Sequence, residues 1–278
     1  MTAFVLVSGG YTAGWIWRDV AAVLRGDGHQ VYPATLTGLG DRRHLARPTT
    51  GLDTHVEDLV QLVDHVPEHD VVLVGHCYGI HPALGAASRR PERVVRLVYL
   101  DAGLPADGDS CMDLVTDEVR GYLLARAAAE GDGVRVPPPP LSEARVWGDL
   151  HDLDADARER LAGYAAPMPL GVLTQPLRMA APLDPELPTT GVFCTLGGGP
   201  GIATIASLVA TGDPRFAPLA RPTVGYFELA TGHWPMLSAP REVAGVLLRA
   251  AADEGERLTA EKAAGEASGE AAGEAAAG

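Results

Sequence analysis

The sequence predicts an α/β fold in which a mostly parallel, doubly wound sheet carries an inserted helical cap. Short apolar runs of strand length alternate with amphipathic segments along most of the chain. Continuous apolar strands that alternate with helices are typical of a parallel sheet covered on both faces. After residue 103 a proline-bearing stretch without strand-like runs interrupts this alternation and predicts the cap.

Six apolar runs predict the strands, and helical spacing of apolar residues predicts the elements between them. The strand runs are AFVLV from Ala3, HQVYPAT from His29, VVLV at 71–74, the run at 94–100, TGVFCTL from Thr190 and TVGYFEL from Thr223. Helices are predicted from Trp17 to the glycines at 26 and 28, over 53–66 with Asp53 as N-cap, and over 80–88, 202–210 and 239–252.

The predicted elements divide the chain into four segments. Residues 1–103 and 189–256 form the two parts of the core, and residues 104–188, with four prolines at 137–140, form the cap or lid. Residues 257–278 are a low-complexity run of Ala, Gly and Glu without an apolar face, which we expect to be disordered.

Composition excludes several classes of function. With 22 basic and 36 acidic residues the net charge is −14, which argues against nucleic acid or an anionic membrane as a partner. The three cysteines, Cys77, Cys111 and Cys194, are too far apart for a disulfide framework or a zinc cluster, so neither metal nor cofactor is expected. The apolar runs are too short to span a bilayer and the first ten residues lack a signal-peptide pattern, which predicts a cytoplasmic protein.

The stretch GHCYG at 75–79 carries the candidate nucleophile, Cys77. It fits the G-x-nucleophile-x-G elbow, with a strand before it and a helix after it. The glycines permit a turn so sharp that flanking side chains would strike the backbone, and the helix N-terminus favours a thiolate. The alternative is a small buried cysteine of the core. His76 and His81 flank the elbow as packing or supporting groups.

His233 and Asp101 are the candidate base and acid. His233 follows the strand run from Thr223, so it lies at the carboxyl edge where Cys77 is also expected. The segment after the preceding strand, where an orienting carboxylate is common, has no Asp or Glu from 189 to 208. Asp101 closes the strand next to the nucleophile strand and is assigned as the acid, with Asp213 the weaker candidate; Asp101 can alternatively cap its own loop.

Two backbone N–H groups are needed to stabilise an oxyanion. Tyr78, the residue after the nucleophile, supplies one. The loop SGGYTAG after the first strand is expected to supply the other, from Gly10 or Tyr11.

These motifs resemble an α/β-hydrolase of the small bacterial esterase group that is similar to plant hydroxynitrile lyases. The resemblance covers residues 3 to about 250 and rests on FVLVSGGYTAGWIW, YPATLTGLGDR, LDTHVEDL, VVLVGHCYG, RLVYLDAGLP and TGHWPMLSAP. It implies the α/β-hydrolase fold and says much less about the reaction.

Two departures from the usual pattern, the cysteine and the acid at Asp101, resemble free-standing Dieckmann cyclases of bacterial polyketide–peptide pathways. That resemblance implies Cys77 as nucleophile, Asp101 as acid and His233 as base. An acyl or peptidyl carrier protein would deliver the chain as a thioester, and a carbanion of the bound chain would close a tetramic acid or pyridone ring. Arg42 and Arg43 are candidate contacts for the carrier or its phosphopantetheine, or else solvated charges.

Three other interpretations stay open. The protein can be a cysteine thioesterase or an ester or lactone hydrolase, since acylation of Cys77 is common to hydrolysis and cyclisation. It can be a serine hydrolase in which Cys77 replaces the serine. It can also be a ligand receptor that keeps the elbow but needs no activated thiol.

Overall fold

The computed structural model describes residues 3–258. Its eight strands are β1 (Ala3–Val7), β2 (Gln30–Ala34), β3 (Val71–His76), β4 (Val94–Leu100), β5 (Arg135–Val136), β6 (Met168–Pro169), β7 (Thr189–Cys194) and β8 (Val224–Leu229). Six of them form one sheet in the order β2-β1-β3-β4-β7-β8, and each neighbouring pair in it is parallel. The predicted parallel α/β architecture is confirmed.

Ten α-helices complete the described part of the chain. They are α1 (Arg18–Gly26), α2 (Leu52–His65), α3 (Ile80–Arg89), α4 (Asp117–Glu130), α5 (Ala144–Trp147), α6 (Ala155–Tyr164), α7 (Leu170–Thr174), α8 (Ile202–Ala210), α9 (Pro235–Ser238) and α10 (Pro240–Ala251). No helix among residues 3–258 is long and apolar enough to cross a membrane.

Helices cover both faces of the sheet, as its apolar strands require. The face of β3 that carries Gly75 lies against α3, because a Cβ at Gly75 would be 2.6 Å from Ile80 Cα. On the opposite face Arg96 of β4 forms an ion pair of 2.5 Å with Asp253, which follows α10. Every residue of β1 and β3 is buried between the two helical layers. The carboxyl ends of these central strands are therefore held rigidly.

The structure corrects two local predictions. The α2 helix begins with Gly51 as N-cap, not Asp53; the Asp53 carboxylate instead accepts a hydrogen bond from the Gln175 side-chain amide at 2.7 Å. The short helix α9 (Pro235–Ser238) was not predicted; it ends at Ala239, and the helix predicted over 239–252 is α10 (Pro240–Ala251). A proline at the first helical position favours a new start there.

The segment between β4 and β7 contains α4 to α7 and a short antiparallel pair. No strand was predicted there, but β5 and β6 pair through Arg135 with Pro169 and Val136 with Met168. Their two-residue length is below what an apolar run signals in sequence. Of the predicted disordered tail, Arg257 and Leu258 are described, and Leu258 is buried beside Tyr226. Residues 259–278 lie outside the described part of the chain.

Candidate active site

Cys77 lies on a sharp turn between β3 and α3. Its φ is 50°, in the left-handed region that non-glycine residues rarely adopt. A Cβ at Gly79 would be 2.7 Å from both the Val7 and the Ser8 carbonyl oxygens, so the turn packs directly on β1. Together with Gly75, this close approach explains the two glycines of the elbow. The thiol is thereby fixed at the carboxyl edge of the sheet.

Backbone strain is concentrated around this edge. Among residues 3–258, five non-glycine residues have positive φ, and Tyr11, Cys77 and Asp101 are three of them. Each such conformation costs on the order of 1–3 kcal/mol and persists where the surrounding packing over-determines it. All three belong to the set of site residues predicted from sequence.

The Asp101 carboxylate holds the His233 imidazole. His233, in the loop between β8 and α9, donates from Nδ1 to Asp101 Oδ2 at 2.5 Å. The other carboxylate oxygen accepts the backbone N–H of Cys194 at 3.1 Å, at the end of β7. Asp213, the weaker candidate, instead pairs with Arg215 at 2.6 Å in an exposed loop. The structure therefore brings Asp101, and not Asp213, to the imidazole.

Cys77 and His233 form an interacting pair. Burial raises the pKa of the Cys77 thiol, but the charge of His233 and hydrogen bonds from His233, Tyr78 and Gly10 outweigh this effect and leave the pKa below its ordinary value. Burial lowers the pKa of His233, whereas the charge of Cys77 and the Asp101 carboxylate raise it to about 10. Between these two pKa values the pair exists as thiolate and imidazolium.

Two backbone N–H groups act on the Cys77 sulfur. Those of Tyr78 and of Gly10, both predicted as oxyanion donors, help to lower the pKa of the thiol. Tyr11, the other residue predicted for the first loop, contributes differently: its carbonyl accepts the N–H of Ala166 at 2.9 Å. Its role as an oxyanion donor stays a prediction, and Gly10 is the residue of this loop placed at the sulfur.

His76 supports the histidine loop, which is one of the two roles, packing or support, expected for it from sequence. Its Nε2 donates to the His233 carbonyl at 2.8 Å, and its ring contacts the rings of His233 and Trp234. Burial lowers the pKa of His76 to about 3, so the ring is neutral near pH 7. His81 is also buried and stacks on the Tyr78 ring with centroids 6.0 Å apart.

A turn of the segment between β4 and β7 lies directly on His233. The N–H of His233 donates to the Asp149 carbonyl at 2.9 Å, and Gly232 donates to the Asp152 carboxylate at 2.9 Å. A Cβ at Gly148 would be only 2.6 Å from His233 Cβ. Sequence reasoning missed these contacts, since nothing local to 148–152 signals a partner 80 residues away.

His55 anchors the side chain of Tyr78 and was also missed. Its Nε2 lies 2.7 Å from the Thr37 carbonyl, which can only accept, so Nε2 carries the proton. Its Nδ1, 2.8 Å from the Tyr78 hydroxyl, is then the acceptor and Tyr78 is the donor. Burial lowers the pKa of His55 to about 4 and keeps this arrangement. The available signal was a histidine beside Val56 on the apolar face of α2.

Arg42 and Arg43, for which carrier contacts and solvated charges were the two alternatives, differ in their surroundings. Arg42 donates to the Thr35 carbonyl at 2.9 Å and pairs with Asp58 at 3.3 Å, which gives it a structural role in its loop. Arg43 is exposed. Within the described part of the chain, no group of three or more His, Cys, Asp and Glu side chains is arranged to hold a metal ion.

The fold and the order of the motifs have known relatives. Residues 4–246 match the sequence profile of the alpha/beta hydrolase family. A carbendazim hydrolyzing esterase from Nocardioides sp. (strain SG-4G) is 32% identical over 259 residues, which cover 88% of this chain and 97% of that protein. The alpha-hydroxynitrile lyase of Arabidopsis thaliana is 34% identical over 104 residues, covering 37% of this chain and 40% of that protein.

Solved structures resemble the chain along most of its length. An extracellular alpha/beta-hydrolase from a Paenibacillus species has a TM-score of 0.72 at 20% identity, covering 90% of this chain and 99% of its own. Tomato methylketone synthase I has a TM-score of 0.70 at 18% identity, covering 91% of this chain and 98% of its own. At these identities the likeness establishes a shared fold and no shared reaction.

Proposed function

The chain belongs to the alpha/beta hydrolase family, and we propose that it is an esterase-type enzyme that cleaves an ester or thioester through an acyl-Cys77 intermediate. One observation carries the proposal: the Asp101 carboxylate accepts a hydrogen bond from His233, and His233 together with two backbone N–H groups lowers the pKa of the Cys77 thiol. A nucleophile, a base with its orienting acid, and oxyanion donors are the parts that acyl transfer needs. The length over which the Nocardioides esterase aligns supports an esterase-type reaction.

Acylation begins with the thiolate of the pair. Cys77 sulfur attacks the substrate carbonyl carbon, forming a C–S bond and a tetrahedral oxyanion beside the N–H groups of Gly10 and Tyr78. As the intermediate collapses, the bond to the leaving oxygen or sulfur breaks. The His233 imidazolium gives its proton to that leaving group, and Asp101 stabilises the imidazole orientation throughout.

Deacylation uses the same residues in reverse. Neutral His233 takes a proton from water, and the water oxygen attacks the acyl carbon. The C–S bond then breaks, so the acid leaves and Cys77 returns as thiolate opposite the imidazolium. Each donor and acceptor of the site is thus used twice.

A Dieckmann cyclase is the second candidate, and the identity of the nucleophile favours it. Thiolate is a better leaving group than alkoxide, and a thioester carbonyl is more electrophilic towards carbon, so an acyl-cysteine suits attack by a carbanion. In this reaction neutral His233 removes a proton between two carbonyls of the bound chain. The carbanion then attacks the acyl carbon, forming the C–C bond and expelling Cys77 thiolate. A carrier-protein thioester is the proposed source of the chain, and the product is a tetramic acid or pyridone.

Mass spectrometry on the N-acetylcysteamine thioester of acetoacetyl-glycine separates the two reactions. Hydrolysis releases a free acid that is one water heavier than the ring-closed product. We expect the free acid as product. Cys77→Ala should form no free acid, whereas Cys111→Ala should still form it. A ring-closed product would establish the cyclase instead. If Cys77→Ser raised turnover by orders of magnitude, the cysteine would be a replaced serine and the proposal would fail.

A further inference from the structure

A cavity of about 580 Å³ lies on the face of the sheet that α8 covers. Tyr99 of β4, Phe193 of β7 and Tyr226 of β8 form its floor, and Ile205 of α8 and Leu187 form its walls. Cys77, Asp101 and His233 are not among its lining residues. We call it the lateral cavity. Its size and its largely apolar, aromatic lining are those of small-molecule sites.

The hydroxyl groups that line the lateral cavity are satisfied with one exception. Three of them donate to backbone carbonyls: Thr189 to Leu187 at 3.1 Å, Thr223 to Pro185 at 3.2 Å and Tyr226 to Leu219 at 2.7 Å. Across residues 3–258 the Tyr99 hydroxyl has no such partner, and burial raises its pKa, so it stays a neutral phenol. Tyr99 is half-buried, so its hydroxyl can donate a hydrogen bond to an oxygen of a molecule that enters the cavity.

The rim of the lateral cavity does not select a charged ligand. Arg221 and Asp184 both lie at the rim and both are exposed, so one cation and one anion face any ligand. The Asp184 carboxylate accepts the N–H of Glu186 at 2.9 Å and remains solvated. Such exposed charges contribute little to binding. Selectivity therefore rests on the apolar walls and on the Tyr99 hydroxyl.

One turn of chain separates the lateral cavity from the candidate active site. Cys111 is close enough to Cys77 for their charges to interact, whereas Leu114 lines the lateral cavity. The two residues are joined by a hydrogen bond of 3.3 Å from the Leu114 N–H to the Cys111 carbonyl. Ala102, directly after Asp101, also lines the cavity. The lateral cavity therefore lies beside the candidate active site, and Cys77, Asp101 and His233 do not line it.

We propose that the lateral cavity is a second ligand site, separate from Cys77, for an uncharged and largely aliphatic or aromatic molecule with one hydroxyl or carbonyl oxygen. The hydrocarbon part packs between the floor residues and α8. The oxygen accepts the hydrogen bond that Tyr99 offers.

Fluorescence titration with the neutral probe 1-aminoanthracene, followed by displacement with 1-octanol, tests the site on the full chain. The protein is first alkylated at Cys77 with iodoacetamide, which blocks the candidate active site. We expect the probe to bind the alkylated protein and octanol to displace it. Tyr99→Phe is expected to weaken octanol binding about tenfold, the effect of one hydrogen bond, while Tyr164→Phe, at an exposed tyrosine, leaves it unchanged.

Leu187→Trp fills the lateral cavity from its wall and is expected to abolish probe binding while the circular dichroism spectrum stays that of the native protein. Three results would overturn the proposal: no probe binding, binding that alkylation of Cys77 removes, or octanol affinity unchanged in both Tyr99→Phe and Leu187→Trp. If Leu187→Trp does not fold, the octanol affinity of Tyr99→Phe alone decides the outcome.

Discussion

His233 Nδ1 lies 2.5 Å from Asp101 Oδ2, so a carboxylate at the end of β4 orients the imidazole that contacts Cys77. The Cys194 N–H fixes the other carboxylate oxygen from the neighbouring strand β7. β7, the strand after which an orienting carboxylate is common, thus supplies a backbone N–H donor. β4, its neighbour in the sheet, supplies the carboxylate. This exchange is possible because β4 and β7 are adjacent and parallel, and end at the same edge.

Asp101→Asn removes the charge and keeps the shape of this acid. We expect kcat to fall about 10⁴-fold, because the amide no longer stabilises the imidazolium or selects its tautomer. The matched control is Asp213→Asn, which alters only an exposed ion pair with Arg215 and leaves kcat unchanged. Steady-state hydrolysis of p-nitrophenyl acetate measures both. Equal activity of wild type and Asp101→Asn would remove Asp101 from the mechanism.

The pH dependence of alkylation reports the thiolate of Cys77. Because its pKa lies below the ordinary thiol value of about 8.5, we expect rapid reaction with iodoacetamide at neutral pH. Burial raises the pKa values of Cys111 and Cys194 to about 12, so they do not compete. His233→Ala removes the favourable charge beside Cys77 and leaves the effect of burial on the thiol. The midpoint of the alkylation rate against pH therefore moves to higher pH. Slow labelling with an unchanged midpoint would instead support the ligand-receptor interpretation.

The loss of stability in acid tests whether His55 and His76 are neutral in the folded protein. The pKa of His55 is lowered to about 4 and that of His76 to about 3, against about 6.5 in an unfolded chain. As pH falls from 6.5 towards 4, the unfolded chain gains protons that the folded one does not. Each histidine therefore lowers the free energy of unfolding by up to about 1.4 kcal/mol per pH unit.

His55→Gln removes the titrating imidazole and places at this position an amide, which can still form hydrogen bonds. Urea unfolding between pH 6.5 and 4 is expected to show a slope reduced by about 1 kcal/mol per pH unit. A slope that stays at the wild-type value in His55→Gln would show that His55 does not contribute to the loss of stability in acid.

The turn at Gly148 controls the position of His233. Gly148→Ala would place a methyl group 2.6 Å from His233 Cβ at a residue with φ of 70°, so the loop or the imidazole must move. A displacement near 1 Å lowers kcat by about 10²-fold. The control Gly163→Ala lies in α6 with open space around it. Rates for p-nitrophenyl acetate that agree between the two variants would show that the turn does not position the base.

The sheet and the meeting of Cys77, Asp101 and His233 were predictable because each follows from local pattern. Apolar runs locate the strands, and parallel strands bring their carboxyl ends to one edge. The elbow glycines were predictable for the same reason, since a turn this sharp excludes side chains. The catalytic roles of Cys77, Asp101 and His233 stay proposals.

The supporting contacts were not predictable, because they join segments far apart in the chain. His55 reaches Tyr78 across 23 positions, and Asp152 reaches Gly232 across 80. The residues 148–152 form a polar turn whose partner depends on how the segment after β4 folds back. The prediction of Asp53 as N-cap was wrong for a related reason. Gln175, which directly follows α7, donates a hydrogen bond to the Asp53 carboxylate.

Trapping the acyl-enzyme tests the central claim most directly. The protein is mixed with the octanoyl thioester of N-acetylcysteamine, quenched in acid within one turnover, and digested for mass spectrometry. An octanoyl group on the peptide that contains Cys77, absent from Cys77→Ala and present with Cys111→Ala, is the result predicted here. Turnover without any acyl group on Cys77, or an acyl group on another residue, would contradict it.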